Sequence, residues 1–178
     1  MTSTLQSRTH DVLVIGAGPA GSATAYWLAE AGWDVAVVEK KRFPREKTCG
    51  DGLTPRSVRQ LLDMGLADAL SGAHRYRGLR ACAFGHTLEL PWPDHPDFPN
   101  YGYTITRHDL DALVAERAAK AGATILDGVE ALEPTDATAG QAGSLLSCSG
   151  AQVREQQDGR LREVRARYVV VADGANSR

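Results

Sequence analysis

Three glycines near the start of the chain have the spacing of a phosphate-binding turn. Gly16, Gly18 and Gly21 form the pattern G-x-G-x-x-G directly after the apolar run DVLVI. In such a turn the first glycine permits a tight bend, the second leaves room for a pyrophosphate, and the third lets a helix pack closely on a strand. The helix that follows begins with Pro19 and Ala20, and N–H groups at a helix N-terminus favour anions. These five residues predict a dinucleotide site.

An acidic residue follows the glycines at the distance that dinucleotide-binding units use, which is about 20 residues. Glu39 comes directly after a second apolar run, DVAVV. A carboxylate at this strand end can accept hydrogen bonds from a ribose diol, and it disfavours the 2′-phosphate of NADP. We expect Lys40 to flank the adenosine and Lys41 to be a solvated charge. The spacing by itself does not separate FAD from NAD.

Three further positions place charged or reactive groups at the ends of predicted elements. Cys49 and Gly50 lie in a charged loop, where a glycine lets backbone amides approach a ligand. Arg107 stands at a predicted helix start, where a positive charge opposes the helix dipole and therefore indicates an anion or a polar cofactor nearby. Asp173 and Gly174 follow the apolar run YVVVA, at the edge where open α/β sheets bind ligands. The alternative interpretations are an inert thiol for Cys49, a helix cap for Arg107 and a simple turn residue for Asp173.

The elements that must position these residues follow from the apolar periodicity. A strand, a helix and a strand in the first 40 residues form a βαβ unit, which makes the two strands parallel. Asp158-Gly159 predicts a hairpin turn, and the continuously apolar run at 168–172 predicts a central parallel strand. The predicted fold class is therefore α/β with a parallel sheet. The predicted elements are strands at 11–15, 34–38 and 123–126, and helices at 20–31, 57–64 and from Thr106 to Gly122.

Composition excludes several classes of protein. The chain has 178 residues and a net charge of −2, which fits neither a basic nucleic-acid-binding module nor a disordered tail. Its three cysteines and five histidines lack the spacing of a disulfide framework or a metal site, so we expect no metal and a reducing compartment. The N-terminus lacks a secretory signal, and no apolar run approaches the roughly 18 residues of a membrane span. We therefore expect a cytoplasmic protein.

Four stretches of the sequence resemble the family of FAD-dependent geranylgeranyl reductases, particularly its menaquinone reductase-like actinobacterial members. The longest is residues 11–58, DVLVIGAGPAGSATAYWLAEAGWDVAVVEKKRFPREKTCGDGLTPRSV. The others are PREKTCGDGLTPR at 44–56, TRHDLDALVAERAAKAGA from Thr106, and VVVADGANSR at 169–178. The resemblance implies FAD as the cofactor and a Rossmann-like FAD-binding fold of the type found in flavin-dependent aromatic hydroxylases.

The same resemblance gives the candidate residues specific roles. It implies that Cys49 and Gly50 lie beside the flavin ring and that Arg107 lies along the bound FAD. It also implies that Asp173 and Gly174 support the cofactor.

The resemblance further implies an activity. In this family a reduced flavin delivers a hydride to an isoprenoid double bond, in a menaquinone side chain or a geranylgeranyl group. NAD(P)H is the expected external reductant. The expected partner is an isoprenoid or lipid substrate, with peripheral contact at the inner membrane face and no nucleic acid.

The predicted domain organisation is simple. We expect a flexible tail at 1–9, followed by the N-terminal part of an FAD/NAD(P)-binding domain at 10–178. Within it, 75–105 begins a β excursion on the substrate side, and the small-residue segment 134–150 is an expected flexible insertion. Members of the family continue beyond the Asp-Gly motif, so we expect the fold to be C-terminally incomplete here.

Two other functions fit the same motifs. One is an FAD-dependent monooxygenase acting on an aromatic or polyketide substrate, although the CGDGLTPR stretch favours the reductase. The other is a non-catalytic nucleotide-binding fragment.

Overall fold

A computed structural model describes residues 9–136 and 148–175 of the chain. Most of the predicted tail at 1–9 and the middle of the predicted insertion at 134–150 lie outside the described residues. The helices are α1 (Pro19–Glu30), α2 (Pro55–Asp63), α3 (Ala67–Leu70) and α4 (Arg107–Lys120). The strands are β1 (His10–Ile15), β2 (Val35–Glu39), β3 (Gly52–Leu53), β4 (His74–Tyr76), β5 (Gly78–Ala83), β6 (His86–Pro91), β7 (Gly102–Thr104), β8 (Thr124–Asp127), β9 (Val129–Thr135), β10 (Gly150–Glu155) and β11 (Leu161–Val171).

The chain divides into two compact units. The first, here called the sheet unit, comprises Met1–Arg45 and Asp111–Arg178. The second, here called the excursion unit, comprises Glu46–Leu110 and contains the predicted excursion at 75–105. No helix within the described residues is long and apolar enough to cross a membrane.

The sheet unit contains a six-stranded sheet in the order β8-β2-β1-β11-β10-β9. The three pairs formed by the first four strands in this order are parallel, and β10 is antiparallel to both β11 and β9. The predicted βαβ unit is confirmed, since β1 and β2 pair in parallel on either side of α1 in the sequence. The α/β fold class with a parallel sheet is therefore confirmed.

Buried aliphatic side chains explain why these segments are strands. All five residues of β2 are buried, and Leu13 and Val14 of β1 are completely so. Burial of each such Val or Leu side chain contributes about 1.5–3 kcal/mol. Part of the core lies between the parallel strands and the β9–β10 pair, where Leu13 and Val38 pack with Val153.

Two predictions at the C-terminal end differ in detail from the structure. The predicted hairpin exists, but its turn is longer than the two residues expected. Residues 156–160 connect β10 to β11, and the Glu155 N–H donates a hydrogen bond to the Arg160 carbonyl across this loop. The predicted strand at 168–172 belongs to the longer β11. Its residues pair with β1, whereas the earlier half of β11 pairs with β10. β11 lies inside the six-stranded order and is parallel to β1, as predicted, but within the described residues its end has β1 as its one neighbouring strand.

The excursion unit contains a three-stranded sheet, β3-β7-β4, and a separate β5–β6 hairpin. Gly52 pairs with Thr104 and Leu53 with Tyr103, which brings the end of the loop that contains Cys49, here called the Cys49 loop, next to the segment that precedes α4. Tyr76 fills the space over Gly102, where an added Cβ would lie 2.5 Å from the tyrosine ring. This pairing places the excursion unit's candidate residues side by side.

Candidate cofactor site

Backbone contacts require two of the three predicted glycines. Gly16 has a φ of +94°, and a Cβ there would lie 2.6 Å from the carbonyl oxygen of Ala172. A Cβ at Gly21 would lie only 1.8 Å from the Gly16 carbonyl oxygen. Gly16 therefore provides the tight bend, and Gly21 provides the close packing of helix on strand.

The N-terminus of α1 is arranged to receive an anion. Gly18 is the N-cap residue, and no side chain forms a capping hydrogen bond there. Pro19 is the first helical residue, and Ala20 is exposed. The first-turn amides are thus not occupied by a side-chain cap, as a pyrophosphate site requires.

Glu39 lies at the carboxyl end of β2, next to the glycine turn. It is only 6% exposed, and its Oε2 accepts a hydrogen bond of 3.1 Å from the Ala17 N–H. Its Oε1 accepts a bond of 3.0 Å from the Lys41 N–H. The predicted acid is therefore held by the backbone on both sides, and a carboxylate retains further acceptor positions for hydroxyl groups.

Two charged residues that the sequence motifs did not identify complete this end of the site. One Nη of Arg45 lies 3.3 Å from Glu39 Oε2, and the other lies 3.1 Å from Asp111 Oδ2. Arg45 is 9% exposed and Asp111 is fully buried. The sequence does contain an indication that Asp111 is buried. This acid lies on the apolar face of α4 with Val114 and Ala118, which are both buried.

The Asp-Gly motif lies beside the glycine turn. A Cβ on Gly16 would come within 2.8 Å of Asp173 Cα, and the Ala172 N–H donates to the Ile15 carbonyl at 2.8 Å. Gly174 has a φ of +89°, which accounts for a glycine at this turn. The structure thus brings Asp173 and Gly174 to the same sheet edge as the glycine turn.

Lys40 lies next to Glu39 in sequence but points to a different surface. It is exposed and lines an open cleft of about 450 Å³ with Arg42, Gly128 and Gln156. Its proposed place beside the adenosine stays a prediction.

The excursion unit contains a cleft of its own, with a volume of about 380 Å³. Its lining includes both Cys49 and Arg107, so the structure places these two predicted residues together. Gly50 is exposed, and an added Cβ there would meet nothing within 4 Å. Further residues that line this cleft are Lys47, Asp51, His108 and Asp109.

Asp51 connects the Cys49 loop to the start of α4. Its backbone carbonyl accepts a hydrogen bond of 3.0 Å from the Ile105 N–H, and its Oδ1 accepts one of 3.2 Å from the Arg107 N–H. At the same helix start the predicted capping residue is confirmed, since Thr106 Oγ1 accepts a bond of 3.2 Å from the Asp109 N–H. Arg107 is the first residue of α4, as predicted.

A histidine and an aspartate form a charged pair at the rim of this cleft. His108 Nδ1 lies 2.7 Å from Asp109 Oδ1. The hydrogen bond with Asp109 raises the pKa of His108 above its usual value. Hydrogen bonds from His108 and then from Thr106 lower the pKa of Asp109. This pair was not among the predicted site residues, and a histidine before an aspartate gives too weak a signal to identify it.

The features of the sheet unit fit the adenosine and pyrophosphate half of a dinucleotide. A glycine turn joins a parallel strand to an uncapped helix, and a buried acid ends the next strand. This combination defines a Rossmann-like dinucleotide-binding protein. The chain belongs to the FAD-binding domain family, whose model matches residues 9–178, and its cofactor is therefore FAD.

Similar proteins place the chain more closely within that family. The menaquinone reductase of Mycobacterium tuberculosis H37Rv is 43% identical over 167 residues, which cover 94% of this chain and 38% of that relative. The chain therefore spans well under half the length of this curated relative. The resemblance to the geranylgeranyl reductase family is confirmed.

Two solved structures share the fold. The myxobacterial FAD-dependent halogenase CndH matches with a TM-score of 0.82 at 25% identity, over 97% of this chain and 39% of that one. A geranylgeranyl bacteriochlorophyll reductase-like protein from Thermoplasma acidophilum matches with a TM-score of 0.73 at 27% identity, over 94% of this chain and 40% of that one. Neither comparison tests the individual site residues, which stay predictions.

Proposed function

We propose that this chain is the FAD-holding part of an oxidoreductase that reduces an isoprenoid double bond. The substrate would be the side chain of a menaquinone or, as a second choice, a geranylgeranyl group. The observation that carries the proposal is the 43% identity to a menaquinone reductase over 94% of the chain. The likeness to a geranylgeranyl bacteriochlorophyll reductase-like structure supports the same class of substrate.

Bound FAD, once reduced, would supply the hydride that is added to one alkene carbon, while a proton is added to the other. The protein contributes binding, orientation and electrostatics to this chemistry. In the sheet unit, the α1 N-terminus would bind the pyrophosphate and Glu39 the ribose hydroxyls. Asp173 would support the cofactor from the neighbouring turn.

In the excursion unit, we propose that Cys49 and Arg107 contact the flavin half of the cofactor. The cleft that they line also contains His108, whose pKa is raised by Asp109. A raised pKa extends the pH range over which the imidazole at the rim of this cleft is protonated and positively charged.

The test is an anaerobic turnover measurement on the natural protein that contains this chain. NADH or NADPH, our proposed external reductants, would be added with a menaquinone or, in a parallel assay, with geranylgeranyl diphosphate, and the mass of the added isoprenoid would be followed. We expect a gain of two hydrogens for each nicotinamide oxidised. Flavin reduction with unchanged quinone and unchanged geranylgeranyl diphosphate would contradict the proposal.

A second candidate is an oxidative enzyme of the monooxygenase or halogenase type. It is favoured by the likeness to the halogenase CndH, whose TM-score is 0.82. The same enzyme preparation separates the two functions when oxygen and a chloride or bromide salt are added. Substrate-dependent oxygen consumption with hydroxylated or halogenated product, and no saturated product, would support this candidate and exclude the reductase.

We further propose peripheral contact with a membrane, because a prenyl quinone resides in lipid. In support, Phe84 at the tip of the β5–β6 hairpin is 99% exposed, and Leu88 of the same hairpin is also exposed. Sedimentation with phosphatidylcholine–phosphatidylglycerol vesicles tests this contact. Phe84→Ser should reduce the bound fraction, whereas Leu161→Ser, at an exposed leucine of the sheet unit, should not. Equal binding of both variants would exclude contact through the hairpin.

A further inference from the structure

Glu39, Arg45 and Asp111 form a cluster of buried charges in the sheet unit. We propose that Arg45 and Asp111 are positioning residues for Glu39, and that the cluster makes this end of the site select an unphosphorylated ribose over a 2′-phosphorylated one. The inference rests on the proposed binding of FAD by this chain. Neither residue belongs to the glycine and acid pattern that identifies the site.

The cluster fixes the Glu39 carboxylate from three directions. Oε2 accepts hydrogen bonds from the Ala17 N–H and from Arg45, and Oε1 accepts one from the Lys41 N–H. A carboxylate offers about four acceptor positions, so three bonds restrict its rotation and still leave capacity for a hydroxyl donor. A ligand that meets an already oriented group loses less entropy on binding.

Asp111 determines the charge of the cluster. Two carboxylates share one guanidinium, so the formal charge is −1 at a place where every member is at most 9% exposed. If Asp111 were absent, Arg45 would be balanced by Glu39 alone. With Asp111 present, Glu39 keeps negative charge that attracts ribose hydroxyls and repels a phosphate.

A purely structural ion pair is the competing explanation. Arg45 would then only join the end of β2 to α4, and the cluster would have no influence on which nucleotide binds. Both explanations are consistent with the distances of 3.3 Å from Arg45 to Glu39 and 3.1 Å from Arg45 to Asp111. The two explanations predict different ligand preferences in variants.

The test compares two soluble probes, ADP-ribose and its 2′-phosphate, by isothermal titration calorimetry. The natural protein should bind ADP-ribose more tightly. Asp111→Asn removes one charge and keeps the shape of the side chain. We expect the ratio of the two dissociation constants to move about tenfold towards the 2′-phosphate, because the loss of one negative charge weakens the repulsion of a nearby phosphate.

A second variant keeps the inference testable if Asp111→Asn fails to fold. Glu39→Gln is isosteric and leaves Arg45 paired with Asp111, and it should move the same ratio in the same direction. The control is Glu116→Gln, which removes an exposed acid on α4, the helix that carries Asp111. This control should change the ratio by less than about twofold, since exposed charges are strongly screened.

The outcomes distinguish this inference from the proposed function. The ratio of dissociation constants could stay constant in both cluster variants while the affinities for the two probes fall together. This result would show that the cluster is only structural, and it would leave the proposed FAD binding intact. A ratio that moves equally in the control would also overturn the inference. If the natural protein binds neither FAD nor ADP-ribose, both the inference and the proposed site fail.

Discussion

The proposed ribose end of the sheet unit and the cleft of the excursion unit both contain ionisable side chains, but these side chains differ in burial. At the ribose end, Glu39, Arg45 and Asp111 are almost completely enclosed and are held by each other and by backbone amides. In the cleft, the side chains of His108 and Asp109 are 40% and 63% exposed. The first region is fixed by packing, whereas the second is in contact with solvent.

This difference determines what each region can contribute. Buried charges interact strongly and keep their geometry before a ligand arrives, so we expect the proposed ribose end to be a preorganised binding surface. Exposed charges are screened by water and salt, and their protonation follows the solution pH. We therefore expect changes in the sheet unit to affect folding and nucleotide affinity, and changes in the excursion unit to affect local order and pH dependence.

The largest expected effect is at Gly21. Gly21→Ala would normally stabilise a helix by about 1 kcal/mol, but here the new Cβ meets the Gly16 carbonyl oxygen at 1.8 Å. We expect the free energy of unfolding to fall by about 3 kcal/mol or more, with loss of FAD binding. Urea denaturation measures the change. Gly72→Ala, where an added Cβ meets nothing within 4 Å, is the control. Equal stability of both variants would show that the turn is not closely packed.

A smaller effect is expected at Asp51 in the excursion unit. Asp51→Ala removes the acceptor of the Arg107 N–H, which should cost about 1 kcal/mol and increase hydrogen exchange at the start of α4 and in the Cys49 loop. Asp51→Asn retains an oxygen acceptor and should preserve most of the protection. If exchange in this segment is unchanged by the alanine, Asp51 does not hold the loop.

The pH dependence of the cleft should come from His108. Because Asp109 raises the pKa of His108, the imidazole should titrate at a higher pH in the natural protein than in Asp109→Asn. The pairing stabilises the fold below the pKa of the unfolded chain, and this contribution is lost as the pH rises through the folded pKa. Histidine NMR titration measures the shift. Asp68→Asn, an exposed acid on α3, should leave the His108 midpoint in place, and identical midpoints in all three proteins would contradict the assignment.

The smallest effect is expected for a surface ion pair. Arg80 and Glu89 pair across the β5–β6 hairpin, and their side chains are 69% and 68% exposed. Arg80→Ala should change the free energy of unfolding by less than about 1 kcal/mol, because exposed pairs are screened. Arg45→Met in the sheet unit is the comparison and should cost several times more. Similar losses from both substitutions would remove the contrast between buried and exposed charges.

The glycine turn and Glu39 could be predicted from sequence because a single βαβ unit contains them. Local spacing determines which residues meet in such a unit, and the structure gives Gly16 and Gly21 the roles that the spacing indicated. Arg45 and Asp111 lie far apart in the sequence, so their contact depends on how α4 packs in the folded chain. Only the placement of an acid on an apolar helix face could have indicated a buried partner for Asp111.

The excursion unit shows the same limit of sequence analysis. The Thr106 cap is local and was predicted, whereas the bond from the Arg107 N–H to Asp51 depends on the pairing of β3 with β7. The two-residue length expected for the β10–β11 connection is also wrong, since residues 156–160 form it. A two-residue signal such as Asp158-Gly159 identifies the turn but not the register of the strands that flank it.

The most direct test of the central claim uses NMR on the backbone amides of the glycine turn. We claim that the α1 N-terminus and Glu39 hold the adenosine and pyrophosphate half of FAD. Titration with FAD should shift the amide signals of Ala17, Gly18 and Gly21, and ADP-ribose should produce the same shifts. Riboflavin, which lacks adenosine and pyrophosphate, should leave them in place. Shifts of equal size with riboflavin, or unchanged signals at saturating FAD, would contradict the account.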